Sequence, residues 1–183
     1  MQAPFHADPP PLPADALPER RRRAQWTELA DTAAQAAVLQ PKADAAVSAC
    51  GVIGTVPDSV ALDLGRLSRG YSLLYERSRN LAVDEELLDA RDELSRILSY
   101  HLHMLRDAGD LAFSGRPDPR TEEVRRELAE GLGPEATRLL TLAGEYRARL
   151  LAAERGEPAD PREPSARGEF ELDDVELNGD DCA

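Results

Sequence analysis

Apolar residues recur at alternating intervals of four and three along three stretches of this chain, and this spacing restricts what the chain can fold into. It places one apolar stripe on an α-helix, whereas a half-buried strand would need strict alternation. The first stripe consists of Val60, Leu64, Leu67, Tyr71, Leu74, Ser78 and Leu81. The second comprises Leu87, Ala90, Leu94, Ile97, Leu98, His101, Met104, Leu105, Ala108, Leu111 and Ala112, and the third Ala136, Leu139, Ala143, Tyr146, Leu150 and Ala153. These stripes predict long amphipathic helices that pack against one another.

The amino-acid composition favours an all-α fold. Apolar residues make up 42% of the chain and aromatic residues 4%, so the core is expected to be mostly leucine and alanine. Both residues favour helices, and the aromatic residues that favour strands are scarce. Because the connections are short, we predict an up-and-down antiparallel bundle of four to six helices over residues 19–155. The apolar stripes are equally compatible with a homodimer.

Proline and acidic residues set the predicted helix boundaries. Pro41 is expected to end the first helix at Gln40, because proline lacks an amide donor and clashes with the preceding turn. A short second helix is then predicted over residues 42–50, and the apolar face of the helix before it is weak. Asp84 is expected to cap a long helix, which runs to about Phe113. On the outer side of that helix an aspartate at 92 and an arginine at 96 are spaced to form an ion pair.

The two ends of the chain differ from its middle. Residues 1–18 are rich in proline and are predicted to form a disordered head. Residues 156–183 carry ten acidic residues against two arginines, a net charge of −8 out of the total of −13. Acidic and apolar residues are interleaved there, as in disordered segments that fold only on a partner. The candidate partner-binding residues of this acidic tail are Phe170, Leu172, Asp173, Asp174, Val175 and Leu177.

The net charge of −13 opposes binding to nucleic acids, because such binding depends on cationic side chains that displace counterions. Arg20, Arg21, Arg22 and Arg23, beside Trp26, form the one basic run and a candidate anion-binding site. These arginines are equally suited to pair with acidic residues of the bundle or the tail. No apolar leader and no stretch long enough to span a membrane is present, so we expect a cytoplasmic protein without membrane contact.

The sequence contains no recognisable catalytic or cofactor-binding motif, so neither a cofactor nor a metal is expected. His101 falls on the apolar stripe while His103 faces elsewhere, since residues two apart do not share a helix face. We predict that His101 is a core residue hydrogen-bonded to Tyr71 or Tyr75, without a catalytic role. Cys50 is expected to be a small buried apolar residue.

These patterns favour a protein–protein interaction module, a helical adaptor or regulator without catalytic activity, whose partner is another protein. The simple core, the absence of a catalytic motif and the acidic tail with its spaced apolar residues are the basis of this interpretation. One alternative is a nucleic-acid-associated regulator that uses the run Arg20–Arg23. A second alternative is an enzyme of unrecognised type with a pocket near Tyr71, Tyr100 and His101, which no motif supports.

Overall fold

The computed structural model describes residues 19–52, 56–113 and 119–155. The predicted disordered head, residues 1–18, lies outside them. The acidic tail, residues 156–183, also lies outside them.

The described residues form five α-helices and contain no β-strand. The helices are α1 (Glu19–Gly51), α2 (Asp58–Asn80), α3 (Leu88–Phe113), α4 (Pro119–Ala129) and α5 (Gly133–Arg155), with a 3-10 turn over Glu85–Leu87 directly before α3. The all-α fold predicted from the sequence is confirmed, and the number of helices lies within the predicted range. No helix of the described residues has both the length and the apolar character needed to cross a membrane.

Neighbouring long helices run antiparallel. Their contacts show this, since residue numbers rise along one helix while those of the contacted residues fall along the next. The contacts are Glu28–Arg77 and Lys42–Asp63 between α1 and α2, Tyr71–His101 and Ser78–Ser95 between α2 and α3, and Ala90–Tyr146 and Arg96–Glu135 between α3 and α5. The helices α1, α2, α3 and α5 therefore form an up-and-down bundle. The short helix α4 packs at the C-terminal end of α1, where Arg125 donates to the carbonyl oxygen of Val52 at 3.2 Å.

Helix α1 is one continuous helix of 33 residues that passes through Pro41. The predicted break at Gln40 and the separate helix over residues 42–50 are therefore wrong. An internal proline costs about 3 kcal/mol, but packing on both sides of it holds the helix together. Ala36 before the proline and Ala43 after it are both 0% exposed, and the proline itself lies on the solvent side.

The sequence pattern of α1 is weak because this helix packs against four others. It contacts α2, α3, α4 and α5, so its buried residues are distributed over several faces. A single apolar stripe is typical of a helix with one buried face, and α1 lacks such a face. A helix whose apolar face is weak in the sequence therefore lies at the centre of the bundle.

Leucine and alanine dominate the core, as predicted. The largest fully buried side chains are Tyr71, Tyr146, Leu29, Leu64, Leu87, Leu94, Ile97, Leu98, Leu105, Leu128, Leu132 and Leu139. The two tyrosines keep their hydroxyl groups satisfied, since Tyr71 donates to the carbonyl oxygen of Ala36 at 3.2 Å and Tyr146 to that of Ala90 at 2.5 Å. The core therefore joins α1, α2, α3 and α5 through apolar contact and through tyrosine hydrogen bonds between helices.

Candidate functional site

An open groove of about 450 Å³ lies across α2 and α3, near the end of the bundle where α2 finishes and α3 begins. Its lining residues are Tyr75 and Arg79 from α2 and Arg91, Asp92, Ser95, Arg96 and Ser99 from α3. We call this feature the arginine groove. Three of its seven lining side chains carry a guanidinium group and one carries a carboxylate, so it concentrates positive charge on a chain with a net charge of −13.

Helical spacing and antiparallel pairing together build the arginine groove. Residues four apart lie on one face of a helix, which aligns Arg91 with Ser95 on α3 and Tyr75 with Arg79 on α2. The hydroxyl groups of Ser78 and Ser95 lie 2.7 Å apart and connect the two helices. These short side chains let α2 and α3 lie side by side, so that the guanidinium groups of both helices reach one surface.

Two arginines of the groove already hold carboxylates. Arg91 donates to Asp92 through Nε at 2.9 Å and Nη2 at 2.8 Å, and Arg96 donates to both carboxylate oxygens of Glu135 on α5 at 2.9 and 3.2 Å. Hydrogen bonding to Glu135 raises the pKa of Arg96 further above its ordinary value. The predicted ion pair between Asp92 and Arg96 is therefore replaced by two other pairs.

The ion pairs of the groove are exposed enough for solvent to weaken them. Each pair has one well-exposed partner: Asp92 is 65% exposed beside Arg91 at 16%, and Arg96 is 57% exposed beside Glu135 at 26%. Exposed ion pairs contribute between 0 and about 1 kcal/mol to stability. An incoming carboxylate can therefore replace Asp92 or Glu135 at small cost to the fold.

The third arginine of the groove lies over an aromatic ring. The guanidinium carbon of Arg79 is 5.9 Å from the ring centre of Tyr75, and Arg79 Nη1 donates to the tyrosine hydroxyl at 3.4 Å. This contact orients the planar guanidinium group. The groove therefore contains oriented guanidinium groups from both helices.

The four arginines of the basic run, Arg20–Arg23, lie in two different environments in the structure. Arg22 points towards the turn before α3, with Nη2 at 3.2 Å from Glu86 and Nε at 3.8 Å from Asp84. The predicted pairing of this run with acidic residues of the bundle thus holds for Arg22. The other members of the run, Arg20, Arg21 and Arg23, are exposed on α1.

Asp84 is a fully buried carboxylate rather than the side-chain cap that the sequence predicts. It occupies the N-cap position of the 3-10 turn without a capping hydrogen bond from its side chain, and it is 0% exposed. Neither of its carboxylate oxygens has a hydrogen-bond donor among the described residues. Its backbone N–H donates to Gln25 Oε1 at 3.5 Å. Arg22 is therefore the ion-pair partner that the described residues provide for Asp84.

Replacing Arg22 with glutamine should lower the free energy of unfolding by about 1–2 kcal/mol, because it leaves a buried carboxylate without its counter-charge. The matched control is Arg21→Gln, which removes the same charge from an exposed position and should stay within about 0.5 kcal/mol of wild type. Urea denaturation at neutral pH measures both values. Equal values for the two variants would show that Asp84 does not depend on Arg22.

His101 lies in the core and stacks on Tyr71. The two ring centres are 5.2 Å apart with an angle of 22° between the planes, and His101 is 0% exposed. His101 Nδ1 is 2.9 Å from the carbonyl oxygen of Ile97, and Tyr71 donates to Ala36 instead. The core position is confirmed, but the predicted hydrogen bond to Tyr71 or Tyr75 is wrong.

Burial lowers the pKa of His101 below its ordinary value of 6.5, although the hydrogen bond to Ile97 opposes the shift. The unfolded chain therefore takes up a proton near pH 6.5 that the folded chain does not bind. The free energy of unfolding should fall as the pH drops below this value, by at most about 1.4 kcal/mol per pH unit.

The variant His101→Leu should lack this part of the pH dependence, as measured by urea denaturation between pH 7.5 and 5.5. The control His103→Leu alters a side chain that is 68% exposed and should retain it. A wild-type protein and a His101→Leu variant with the same pH dependence would contradict the assignment of His101 as a buried neutral histidine.

Cys50 is buried, as predicted from the sequence. Burial raises the pKa of its thiol, an effect that Arg125 partly opposes. A buried thiol with a raised pKa is a poor nucleophile, so Cys50 is a packing residue. In the part of the chain that the structure describes, no three metal-ligating side chains come together.

Sequence reasoning missed the arginine groove, since it depends on which helices become neighbours. The six candidate residues of the acidic tail, Phe170, Leu172, Asp173, Asp174, Val175 and Leu177, lie outside the described residues. Comparison with known proteins does not suggest a function for this groove. No protein-family model, curated protein or solved structure matches this chain.

Proposed function

We propose that this protein is a helical interaction module without catalytic activity, and that its arginine groove binds an acidic segment of a partner protein. The observation that supports this proposal is the gathering of Arg79, Arg91 and Arg96 on one surface of a strongly acidic chain. A planar guanidinium group holds a carboxylate through two parallel hydrogen bonds, as Arg96 does with Glu135. The groove places guanidinium groups of this kind on two adjacent helices, α2 and α3.

The chemistry of the groove favours a protein partner over a nucleic acid. Nucleic-acid binding needs many cations along a phosphate backbone, and the net charge of −13 opposes it beyond the groove itself. A short acidic segment needs only the few guanidinium groups that the groove supplies. The run Arg20–Arg23 supports the nucleic-acid alternative less, because Arg22 is engaged with Asp84 and Glu86.

The proposal predicts that a hepta-glutamate peptide binds the full-length chain at the groove. The 15N-labelled protein is titrated with this peptide to millimolar concentration at low salt, and amide shifts of Ser95 and Ser99 report binding. Arg79→Gln/Arg91→Gln/Arg96→Gln should weaken the apparent affinity by about tenfold or more, because it removes the charge-assisted hydrogen bonds.

A matched triple variant separates the groove from the overall charge. Arg66→Gln/Arg69→Gln/Arg106→Gln removes the same charge from three exposed positions outside the groove. This control should bind the peptide nearly as well as wild type. If both triple variants lose affinity to the same extent, only net charge matters and the groove is not the binding site.

A further inference from the structure

We propose that the protein's own acidic segment, residues 169–177, occupies the arginine groove and competes with a partner for it. This inference rests on the proposed function and adds a named occupant to that site. Residues 169–177 lie outside the described part of the chain. Three observations support their assignment to the groove: the place where α5 ends, the length of the connecting chain and the complementary charge.

Helix α5 ends at the same end of the bundle as the groove, where α3 begins. Tyr146 on α5 donates to the carbonyl oxygen of Ala90, the residue directly before Arg91 of the groove. From Tyr146 the helix continues to Arg155, which adds about 14 Å along its axis. The acidic tail therefore leaves the bundle at the same end as the groove, about 14 Å beyond the level of Ala90.

The connecting chain is long enough to reach the groove. Residues 156–168 separate the end of α5 from the acidic segment, and their extended length is roughly 43 Å. The groove is on the neighbouring helix, since Arg96 of the groove contacts Glu135 of α5. Such a tether gives a millimolar effective concentration, so a weak contact is sufficient for occupancy.

The charges of the segment and the groove are complementary. The segment contains no basic residue, and its five acidic residues are Glu169, Glu171, Asp173, Asp174 and Glu176. The groove presents three guanidinium groups against one lining carboxylate, Asp92, and against Glu135 of α5, which pairs with Arg96. Carboxylates of the segment would replace Asp92 and Glu135, whose partly exposed ion pairs contribute little to stability.

The test neutralises the segment in the full-length chain. The segment variant carries Glu169→Gln, Glu171→Gln, Asp173→Asn, Asp174→Asn and Glu176→Gln. The control variant neutralises the other five acidic residues of the tail, through Glu157→Gln, Asp160→Asn, Glu163→Gln, Asp180→Asn and Asp181→Asn. Both changes raise the net charge equally. The segment variant should bind hepta-glutamate about tenfold more tightly than the control variant, because the internal competitor is gone.

The groove arginines decide what each outcome means. If Arg79→Gln/Arg91→Gln/Arg96→Gln removes the gain in affinity of the segment variant, both the groove function and the internal competitor are supported. Equal affinities of the two tail variants, both still dependent on the groove arginines, would overturn the internal competitor and leave the proposed function in place. Affinities that do not depend on these arginines in any variant would overturn the proposed function itself.

Discussion

Replacing Gly51 with alanine should lower the free energy of unfolding by about 3 kcal/mol, because the added methyl group has no space. A Cβ at this position would lie 2.7 Å from the carbonyl carbon of Leu128 and also meet the backbone of Ala129. Both contacts are with main-chain atoms of α4, so no side-chain rotation can relieve them. The helix α4 would have to move away from the end of α1, and urea denaturation measures the cost.

Two other glycines provide matched controls for Gly51. A Cβ built at Gly65 in α2 or Gly144 in α5 meets nothing within 4 Å. Alanine is the better helix former by about 1 kcal/mol, so Gly65→Ala and Gly144→Ala should stabilise the protein or leave it unchanged. A Gly51→Ala variant that behaves like these controls would contradict the packing of α4 on α1.

Replacing Asp44 with alanine should lower the free energy of unfolding by about 2 kcal/mol, because it leaves a buried N–H group without an acceptor. Asp44 lies in the part of α1 beyond Pro41, and its Oδ1 accepts from the backbone N–H of Leu132 at 2.7 Å. Leu132 is 0% exposed and follows Gly131, whose φ of 67° suits glycine. This hydrogen bond fixes the turn between α4 and α5 to α1.

The control for Asp44 is Asp31→Ala, which removes an exposed carboxylate from the same helix and should change stability by less than about 0.5 kcal/mol. Asp44→Asn retains an oxygen acceptor and should fall between the two alanine variants. Thermal and urea denaturation at neutral pH compare the three. An Asp44→Ala variant as stable as Asp31→Ala would mean that the continuous α1 does not hold the turn.

The sequence predicts α2, α3 and α5 well because each has one buried face with regular spacing. In α2, the stripe members Leu64, Leu67, Tyr71, Leu74 and Ser78 are all buried in the structure. The inclusion of Ser78 in an apolar stripe is explained only by the fold, where its hydroxyl pairs with that of Ser95. Local spacing thus identifies the buried face, and tertiary pairing explains its polar member.

Two of the failed predictions, those for Pro41 and for the pair Asp92 and Arg96, failed because tertiary packing outweighs local rules. Pro41 does not end α1, since buried residues on both sides of it anchor the helix against its neighbours. Asp92 and Arg96 do not pair, because Glu135 on α5 offers Arg96 two carboxylate oxygens. The arginine groove could not be predicted for the same reason: it requires α2 and α3 to be adjacent in one particular register.

The most direct test of the groove's function is a crystal structure of the full-length chain with hepta-glutamate bound. We expect carboxylate oxygens of the peptide within about 3 Å of guanidinium nitrogens of Arg91 and Arg96, the distance of charge-assisted hydrogen bonds. We expect Asp92 and Glu135 to release these arginines in the complex. A peptide bound instead along the run Arg20–Arg23, with Arg91 still paired to Asp92 and Arg96 to Glu135, would contradict the account.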